Sequence, residues 1–510
     1  MDNTCKRTSL VDRVEAGVRC IWGKYWAVIA GSLLSGLAAY GFLLSNKLIN
    51  WDDLNGLFGT GAHLSSGRWG KLLLQYVFPS FSMPWLWGLI GMAFVTVGAC
   101  MIVRLFSIRN KTLQFLLGGA IAVFPSQIGI MLYMYVIPGH TLAFLLSIWA
   151  VVVFQRGRLR DWLIALLLMV ISLSLYQAHV AITASLLLLG LTRAVLRDGE
   201  RPAKILRDGV MSVLFLIVAM GLYYGITQLL LKIGGAEFSD YANGRIMGVP
   251  EMLRRLPRGI FQAYRQFARA LLGRVHGLVQ TKPSVAVHLL CGAVTALGLL
   301  SSLKDIAGRG SRALLLASLA LLPLSINCLY LLTPDGVRGL TQYSFIAVYV
   351  LAAMVVDVQP ADRLRSAQRD VIAVAMAVVL ATNIFVANKV YLRMYLDYEN
   401  TYALFSSVMT QVEMTPGFDA DSRLALVGNA EDSEYLEHFD GMYLDGSGAI
   451  RNHYSRNWFI TYYLGKNVEF ATDEEIEALR QDPRVAEMSV YPYYGYVRKI
   501  DGIMVVKLGE

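Results

Sequence analysis

The sequence predicts an all-α polytopic membrane protein of about 11 transmembrane helices, followed by a small C-terminal α/β domain. Hydrophobic residues make up 55% of the 510 residues, only 16% are charged, and the mean hydropathy is +0.49. Apolar runs of membrane length recur along the chain, and short basic loops follow every second one. A water-soluble fold cannot bury so much apolar surface, so lipid is the expected solvent for most of the chain.

The predicted spans rest on length, because a transmembrane helix needs about 20 mostly apolar residues. By this criterion they lie near 26–44, 84–103, 113–132, 141–155, 161–176, 180–196, 209–231, 284–303, 313–332, 342–357 and 371–388. Pro125 stands inside the third span, where its missing N–H predicts a kink or a break. Residues 1–25 are polar and basic without a cleavage site, which indicates a cytoplasmic tail.

Basic residues orient these spans, because the cytoplasmic loops of membrane proteins carry an excess of Lys and Arg. With the N-terminus inside, every short inner loop is basic, whereas the short outer loops 133–140 and 176–179 hold no Lys or Arg. Orientation therefore explains the net charge of +9 without a nucleic-acid partner. The long outer segment 232–283 is also basic, and its amphipathic stretch 251–274 suits anionic lipid headgroups at least as well as a catalytic role.

An odd number of spans places the C-terminal residues outside the cytoplasm. There "RLALVG" and "DGIMVVKLG" predict strands, and "DEEIEALRQDP" predicts a helix with Asp473 as its N-cap. The predicted organisation is a tail over 1–25, a multispan catalytic domain over 26–388 and an extracytoplasmic α/β domain over 389–510. The outer loops of the multispan domain are 45–83 and 232–283.

The distribution of charge favours an enzyme acting at the outer face. The centres of the predicted spans lack Asp, Glu, Lys and Arg, which ion-coupled transporters need at mid-membrane depth. Polar side chains gather at the outer ends of the spans instead. The alternatives are a lipid-linked saccharide flippase or exporter, and a non-catalytic envelope protein whose outer domain binds a partner.

An acid pair, Asp52 and Asp53, follows the first span in "LINWDDLNGLFGTGAHLSSGRWGK". A carboxylate that the membrane partly desolvates can act as a general base toward a hydroxyl group. We favour Asp52 as the base and Asp53 as the neighbour that orients it or holds the acceptor. The structural alternative is that the acids cap a helix. No cofactor is required, although adjacent carboxylates can also hold a divalent cation.

Further polar side chains predict a substrate site near these acids. Arg68, in the predicted interfacial helix "SSGRWGKLLLQYVF", and Arg338, in "TPDGVRGLTQY", suit forked contacts with phosphate oxygens. The segment "SLYQAHV" offers neutral donors and acceptors suited to a sugar or phosphate. The full set of substrate-binding candidates is Arg68, His140, Tyr176, Gln177, His179, Arg245, Asp335, Arg338 and Tyr343. Their structural alternatives are membrane anchoring, interhelical hydrogen bonds and a local Asp335–Arg338 pair.

Together these segments resemble the GtrII-type membrane glucosyltransferases, bacterial and phage enzymes of O-antigen serotype conversion. The matching pieces are "NWDDLNG", "SSGRWGK", "SLSLYQAHV", "PDGVRGLTQY", "NKVYLRMYLDYENTYALFSSV" and "VYPYYGYVRKIDGIMVVKLG". The resemblance implies a GT-C-like fold in the bacterial cytoplasmic (inner) membrane with its acidic motif in the first outer loop. It also implies a polyprenyl-phosphate glucose donor, a surface-glycan acceptor and an inverting single displacement. The acid role carries over to Asp52 and Asp53, and phosphate binding carries over to Arg338.

Overall fold

The computed structural model describes residues 10–46, 48, 50–59, 64–78, 81–238, 249–273, 282–306, 308–332, 337–357, 363–419, 421–430, 438–439 and 455–509. Each of the eleven predicted spans is helical over most of its length. The helices of the membrane region are α1 Leu10–Asn46, α2 Trp51–Asn55, α3 Gly70–Leu74, α4 Pro84–Leu105, α5 Lys111–Ala122, α6 Pro125–Met131, α7 Ile137–Phe154, α8 Leu159–Leu175, α9 Val180–Leu196, α10 Pro202–Ile233, α11 Val249–Leu271, α12 Lys282–Asp305, α13 Arg309–Ile326, α14 Leu329–Leu332, α15 Ile346–Val356 and α16 Arg363–Met414.

The predicted number of membrane spans is confirmed only in part. In the described part of the chain, eight helices are long and apolar enough to cross a membrane, or nine if the bent pair α5–α6 is one span. The two other predicted spans are shorter helices: α8 has 17 residues, and α15 has 11. Both are helices as predicted; α8 lies at the lower end of the length range of a transmembrane helix, and α15 falls below it.

The predicted break at Pro125 is confirmed, and it explains a buried tyrosine. Helices α5 and α6 meet at an angle of 48°. Since proline has no N–H, the carbonyl of Ile121 loses its usual partner, and the Tyr343 hydroxyl donates to it at 2.6 Å. The Tyr40 hydroxyl donates in the same way to the Ala122 carbonyl at 2.5 Å. The structure thus gives Tyr343 a structural role in the core, where its ring lies 4.8 Å from that of Phe144, and its predicted contact with substrate stays a prediction.

Helix α16 joins the membrane region to the C-terminal domain without a break. It runs for 52 residues, so the predicted boundary between residues 388 and 389 falls inside it. Its middle part packs in the membrane core through residues such as Val386 and Tyr391. Its last turns place Phe405 and Met409 in the apolar core of the C-terminal domain. One continuous helix therefore carries the domain at its end.

The C-terminal domain is built on a four-stranded sheet in the order β2-β1-β4-β3. Its elements are β1 Arg423–Val427, α17 Arg456–Tyr462, β2 Glu469–Phe470, α18 Asp473–Arg480, α19 Pro483–Ala486, β3 Val497–Ile500 and β4 Ile503–Lys507. Strand β1 is parallel to β2 and β4, and β3 is antiparallel to β4. The two strands and the helix predicted from the sequence are present. The predicted N-cap is wrong by one residue, because Thr472 and Glu475 form a capping box that makes Asp473 the first helical residue.

The basic stretch of segment 232–283 forms helix α11. Its buried face carries Ala263 and Ala270. Asn327 donates to the Ala263 carbonyl at 3.2 Å, and the rings of Phe267 and Phe345 stack 5.7 Å apart. The arginines of the other face, among them Arg254, are exposed. Helix α11 therefore packs on the part of the chain that leads into Arg338 and leaves a basic face outward.

Candidate active site

The helix that carries the acid pair is capped by Asn50 and not by the acids. The Asn50 side-chain oxygen accepts hydrogen bonds from the backbone N–H groups of Asp52 and Asp53, both at 2.9 Å. Its amide nitrogen donates to the Leu132 carbonyl at 2.9 Å, just after helix α6. Because Asn50 satisfies these N–H groups, the Asp52 carboxylate lies in the first turn without a capping role, whereas the Asp53 carboxylate accepts from the Asn50 N–H in return.

Asp53 is buried and held by the backbone of the turn Met134–Val136. One of its carboxylate oxygens accepts from the Tyr135 N–H at 3.3 Å. The other has no hydrogen-bond partner among the described residues. Burial raises the pKa of Asp53 from 3.8 to about 7, although the N–H groups of Tyr135, Met134 and Asn50 lower it. This carboxyl is fixed in orientation and shielded from solvent.

The raised pKa of Asp53 predicts a pH-dependent stability. The carboxyl has a pKa of about 7 in the folded protein and 3.8 ordinarily. The folded state therefore binds more protons between these two values, and stability falls as the pH rises through that window. Asp53→Asn removes this titration, so its melting temperature should fall less than that of the wild type over the same window. Thermal unfolding in detergent micelles, followed by tryptophan fluorescence, measures both proteins, and parallel curves would contradict the prediction.

Asp52 lies within electrostatic range of two arginines that are far apart in the sequence. Its side chain is partly buried. Burial raises the pKa of Asp52, and the positive charges of Arg68 and Arg338 lower it. Arg338 is exposed at the start of the turn Gly339–Thr341, and Ser126 of α6 donates to the Gly339 carbonyl at 2.6 Å. The broken helix α5–α6 thus supports the loop that brings Arg338 to Asp52.

Arg68 is positioned by a tight turn that leaves room only for glycine. Gly67 has φ +73°, and a Cβ atom there would lie 2.4 Å from the Tyr223 hydroxyl oxygen. The Tyr223 hydroxyl donates to the Gly67 carbonyl at 3.0 Å, and the indole N–H of Trp69 donates to Thr227 at 3.1 Å. The predicted long interfacial helix is absent here, because the segment forms only the turn Leu64–Ser66 and the five-residue helix α3. Helix α10 therefore holds both neighbours of Arg68.

Gln177 supports this turn instead of pointing to a free pocket. Its amide nitrogen donates to the Ser66 carbonyl at 3.0 Å and to the Tyr223 hydroxyl at 2.9 Å. Both amide hydrogens of Gln177 are thus used to position the segment before Arg68, and its predicted sugar-binding role stays a prediction. Gln177 therefore contributes to the site by holding the backbone of the turn before Arg68.

His140, Tyr176 and His179 form a buried group beside that turn. The rings of His140 and Tyr176 lie 4.1 Å apart, and the His179 ring nitrogen lies 3.0 Å from the His140 carbonyl oxygen. Neither ring nitrogen of His140 has a hydrogen-bond partner among the described residues. The three side chains predicted from two separate segments are thus brought together, at a depth where they are mostly closed to solvent.

Lys71 is a buried amine that was not among the residues predicted from the sequence. It is only 2% exposed, and its amine has no hydrogen-bond partner in the described part of the chain. Its side chain lies against Gly139, next to His140. Burial, together with the charge of Arg68, holds the pKa of Lys71 well below its usual value of 10.5. One feature of the sequence could have identified Lys71. It lies three residues after Arg68, a spacing that places both side chains on one side of a helical turn.

The C-terminal domain packs directly on the helix of the acid pair. Leu54, the neighbour of Asp53, is fully buried in the same apolar cluster as Phe459 and Ile460 of α17. Tyr463 follows α17, and burial together with the negative charge of Asp53 raises the pKa of its hydroxyl. The acids therefore lie at the junction of the membrane region and the C-terminal domain.

Two predicted substrate ligands, Arg245 and Asp335, lie outside the described residues. Within the described residues, no group of three or more His, Cys, Asp or Glu side chains could hold a metal ion. What the site offers chemically is a partly buried carboxylate, Asp52, within electrostatic range of Arg68 and Arg338, with the fully buried Asp53 next to it. Such a set can accept a proton and bind a phosphate at the same time.

Comparison with known families gives one match. A family model described as "Glucosyl transferase GtrII" matches residues 41–356, a range that contains the acid pair, both arginines and Lys71. The C-terminal domain lies outside the match. No curated protein and no solved structure matches the chain.

Proposed function

The chain belongs to the glucosyl transferase GtrII family, whose model matches well over half of it, and from this premise we propose that it moves glucose from a polyprenyl-phosphate donor to a surface glycan. The family is one of glucosyltransferases, and the long apolar helices make the chain a membrane protein. The proposal adds three points to these findings: the donor, the acceptor, and the outer face of the bacterial cytoplasmic membrane as the place of reaction.

One observation carries this proposal: Asp52 lies within the electrostatic reach of both Arg68 and Arg338. A glycosyl transfer from a lipid phosphate needs a base at the acceptor hydroxyl and positive charge at the leaving phosphate. Guanidinium groups bind phosphate through two parallel N–H···O contacts. The two requirements are met within one site by three residues from two distant parts of the chain.

In the proposed reaction, the acceptor hydroxyl oxygen attacks the anomeric carbon of glucose from the face opposite the phosphate. Asp52 takes the hydroxyl proton as the new C–O bond forms. The bond from the anomeric carbon to the phosphate oxygen breaks, and the lipid phosphate leaves with the bonding electrons. Arg68 and Arg338 stabilise its negative charge, and Lys71 lies deeper beside Arg68. Asp53 holds the turn that orients Asp52, and the configuration at the anomeric carbon inverts.

Mass spectrometry of the lipids and surface glycans of cells with and without the protein tests this function. We expect a gain of one hexose per acceptor unit, present with the wild type and absent with Asp52→Asn. An unchanged glycan would contradict the proposed function and leave the non-catalytic envelope protein as the better explanation. The side of the membrane is tested separately by a reporter that is active only outside the cytoplasm, fused after Gly509, since cytoplasmic readout would contradict the proposed orientation.

A further inference from the structure

A row of exposed aromatic side chains runs from the acid-pair helix to the C-terminal domain. We call Phe81, Phe58, Tyr462 and Trp458 the aromatic ladder. The ring centroids of successive members lie 5.9, 5.4 and 5.5 Å apart. Each side chain is between 38% and 56% exposed. Four adjoining exposed aromatic rings form a continuous apolar patch, and such patches mark binding surfaces.

The local structure explains why these rings point outward together. In α17, Trp458 and Tyr462 are four residues apart and so share one helix face, where their rings stack at 13°. The opposite face places Phe459 and Ile460 in the core, fully buried. Phe58 follows helix α2, and the Ser82 N–H donates to the Leu57 carbonyl at 2.9 Å, which fixes Phe58 beside Phe81.

The position of the ladder suggests what it binds. Phe58 lies five residues after Asp53, and Leu54 packs in the core of the C-terminal domain beside Phe459. The ladder therefore starts on the segment that follows the acid pair and continues onto the helix that packs against Leu54, two residues after the proposed base Asp52. Aromatic faces carry negative charge density that attracts the C–H groups of a sugar face, while the sugar hydroxyls stay in water. The acceptor of a glycosyl transfer is such a molecule.

From these observations we propose that the aromatic ladder is the binding surface for the acceptor polysaccharide, an inference that rests on the proposed function. Half of it, Trp458 and Tyr462, lies beyond the residues 41–356 that match the family. The C-terminal domain therefore takes part in choosing the acceptor, whereas the membrane region holds the donor. An aromatic belt at the lipid headgroups is the competing explanation, and it predicts no effect on saccharide binding.

The test uses full-length protein in lipid nanodiscs without donor. The probe is the surface polysaccharide of the producing cell, released by mild acid and labelled at its reducing end. Trp458→Ala and Tyr462→Ala should each weaken its binding by about 10-fold, as expected for the loss of one aromatic contact. Tyr462→Phe keeps the ring and should bind like the wild type. Tyr493→Ala and Tyr494→Ala are matched controls, because both tyrosines are exposed in the same domain and lie outside the ladder.

Transfer kinetics supply the second measurement. Trp458→Ala and Tyr462→Ala should raise the acceptor KM and leave the donor KM unchanged. Unchanged polysaccharide binding in both variants, or an equal loss in Tyr494→Ala, would overturn the proposal. A wild-type protein that binds the polysaccharide but transfers no hexose would refute the proposed function, and the binding series would still decide the role of the ladder.

Discussion

Asp52→Asn is expected to lower the turnover of glucose transfer by roughly 100-fold or more while the protein remains folded. Asparagine has nearly the shape of aspartate but cannot accept the acceptor's proton. The fold should tolerate the change because Asn50, and not Asp52, caps helix α2. Purified protein with polyprenyl-phosphate glucose and acceptor gives the turnover, and the melting temperature gives the folding control.

Two further variants separate catalysis from helix capping. Asn50→Ala removes the cap and the contact with Leu132, so it should destabilise the protein by about 1 kcal/mol or more. Asp473→Asn changes an exposed acid of the C-terminal domain and should alter neither turnover nor melting temperature. Near-normal turnover in Asp52→Asn would show that the proposed mechanism is wrong.

Asp53→Asn should reduce turnover less than Asp52→Asn. The Asp53 carboxyl is fully buried and accepts a backbone hydrogen bond from Tyr135, so an orienting role suits it better than contact with an acceptor. An asparagine oxygen can accept the same hydrogen bond. If Asp53→Asn instead shows the larger loss, the two acids exchange their proposed roles.

Arg338→Ala is expected to raise the donor KM by about 10-fold or more, because one charged contact with the phosphate is lost. Arg338→Lys should restore part of this loss, since a point charge replaces a planar fork. Donor titration at saturating acceptor measures both variants. Arg104→Ala, an exposed arginine at the end of α4, is the matched control and should behave like the wild type.

Arg338→Ala should also change the pH dependence of the reaction. The charge of Arg338 lowers the pKa of Asp52, so its removal raises that pKa. The base must be deprotonated to act, and the acid limb of the pH–rate profile should therefore move to higher pH in Arg338→Ala. An unchanged donor KM together with an unmoved acid limb would assign Arg338 to local structure alone.

The sequence by itself determined the membrane class, the helical segments, the break at Pro125 and the main strands of the C-terminal domain. Each of these depends on the composition of a short stretch of chain: enough apolar residues to suit lipid, a proline without an N–H, or a short continuous apolar run. It also predicted the acid pair, because two carboxylates directly after a span are visible in the residues themselves.

Only the tertiary structure decided how these pieces meet, because packing joins residues that are distant in sequence. It placed Arg338 and Arg68 within electrostatic range of Asp52. It buried Lys71, and it gave Gln177 and Tyr343 backbone carbonyls as hydrogen-bond partners. It also packed the C-terminal domain against Leu54, the neighbour of Asp53. Such contacts depend on which helix faces adjoin and on which backbone groups a break leaves unpaired, and no local pattern of residues carries that information.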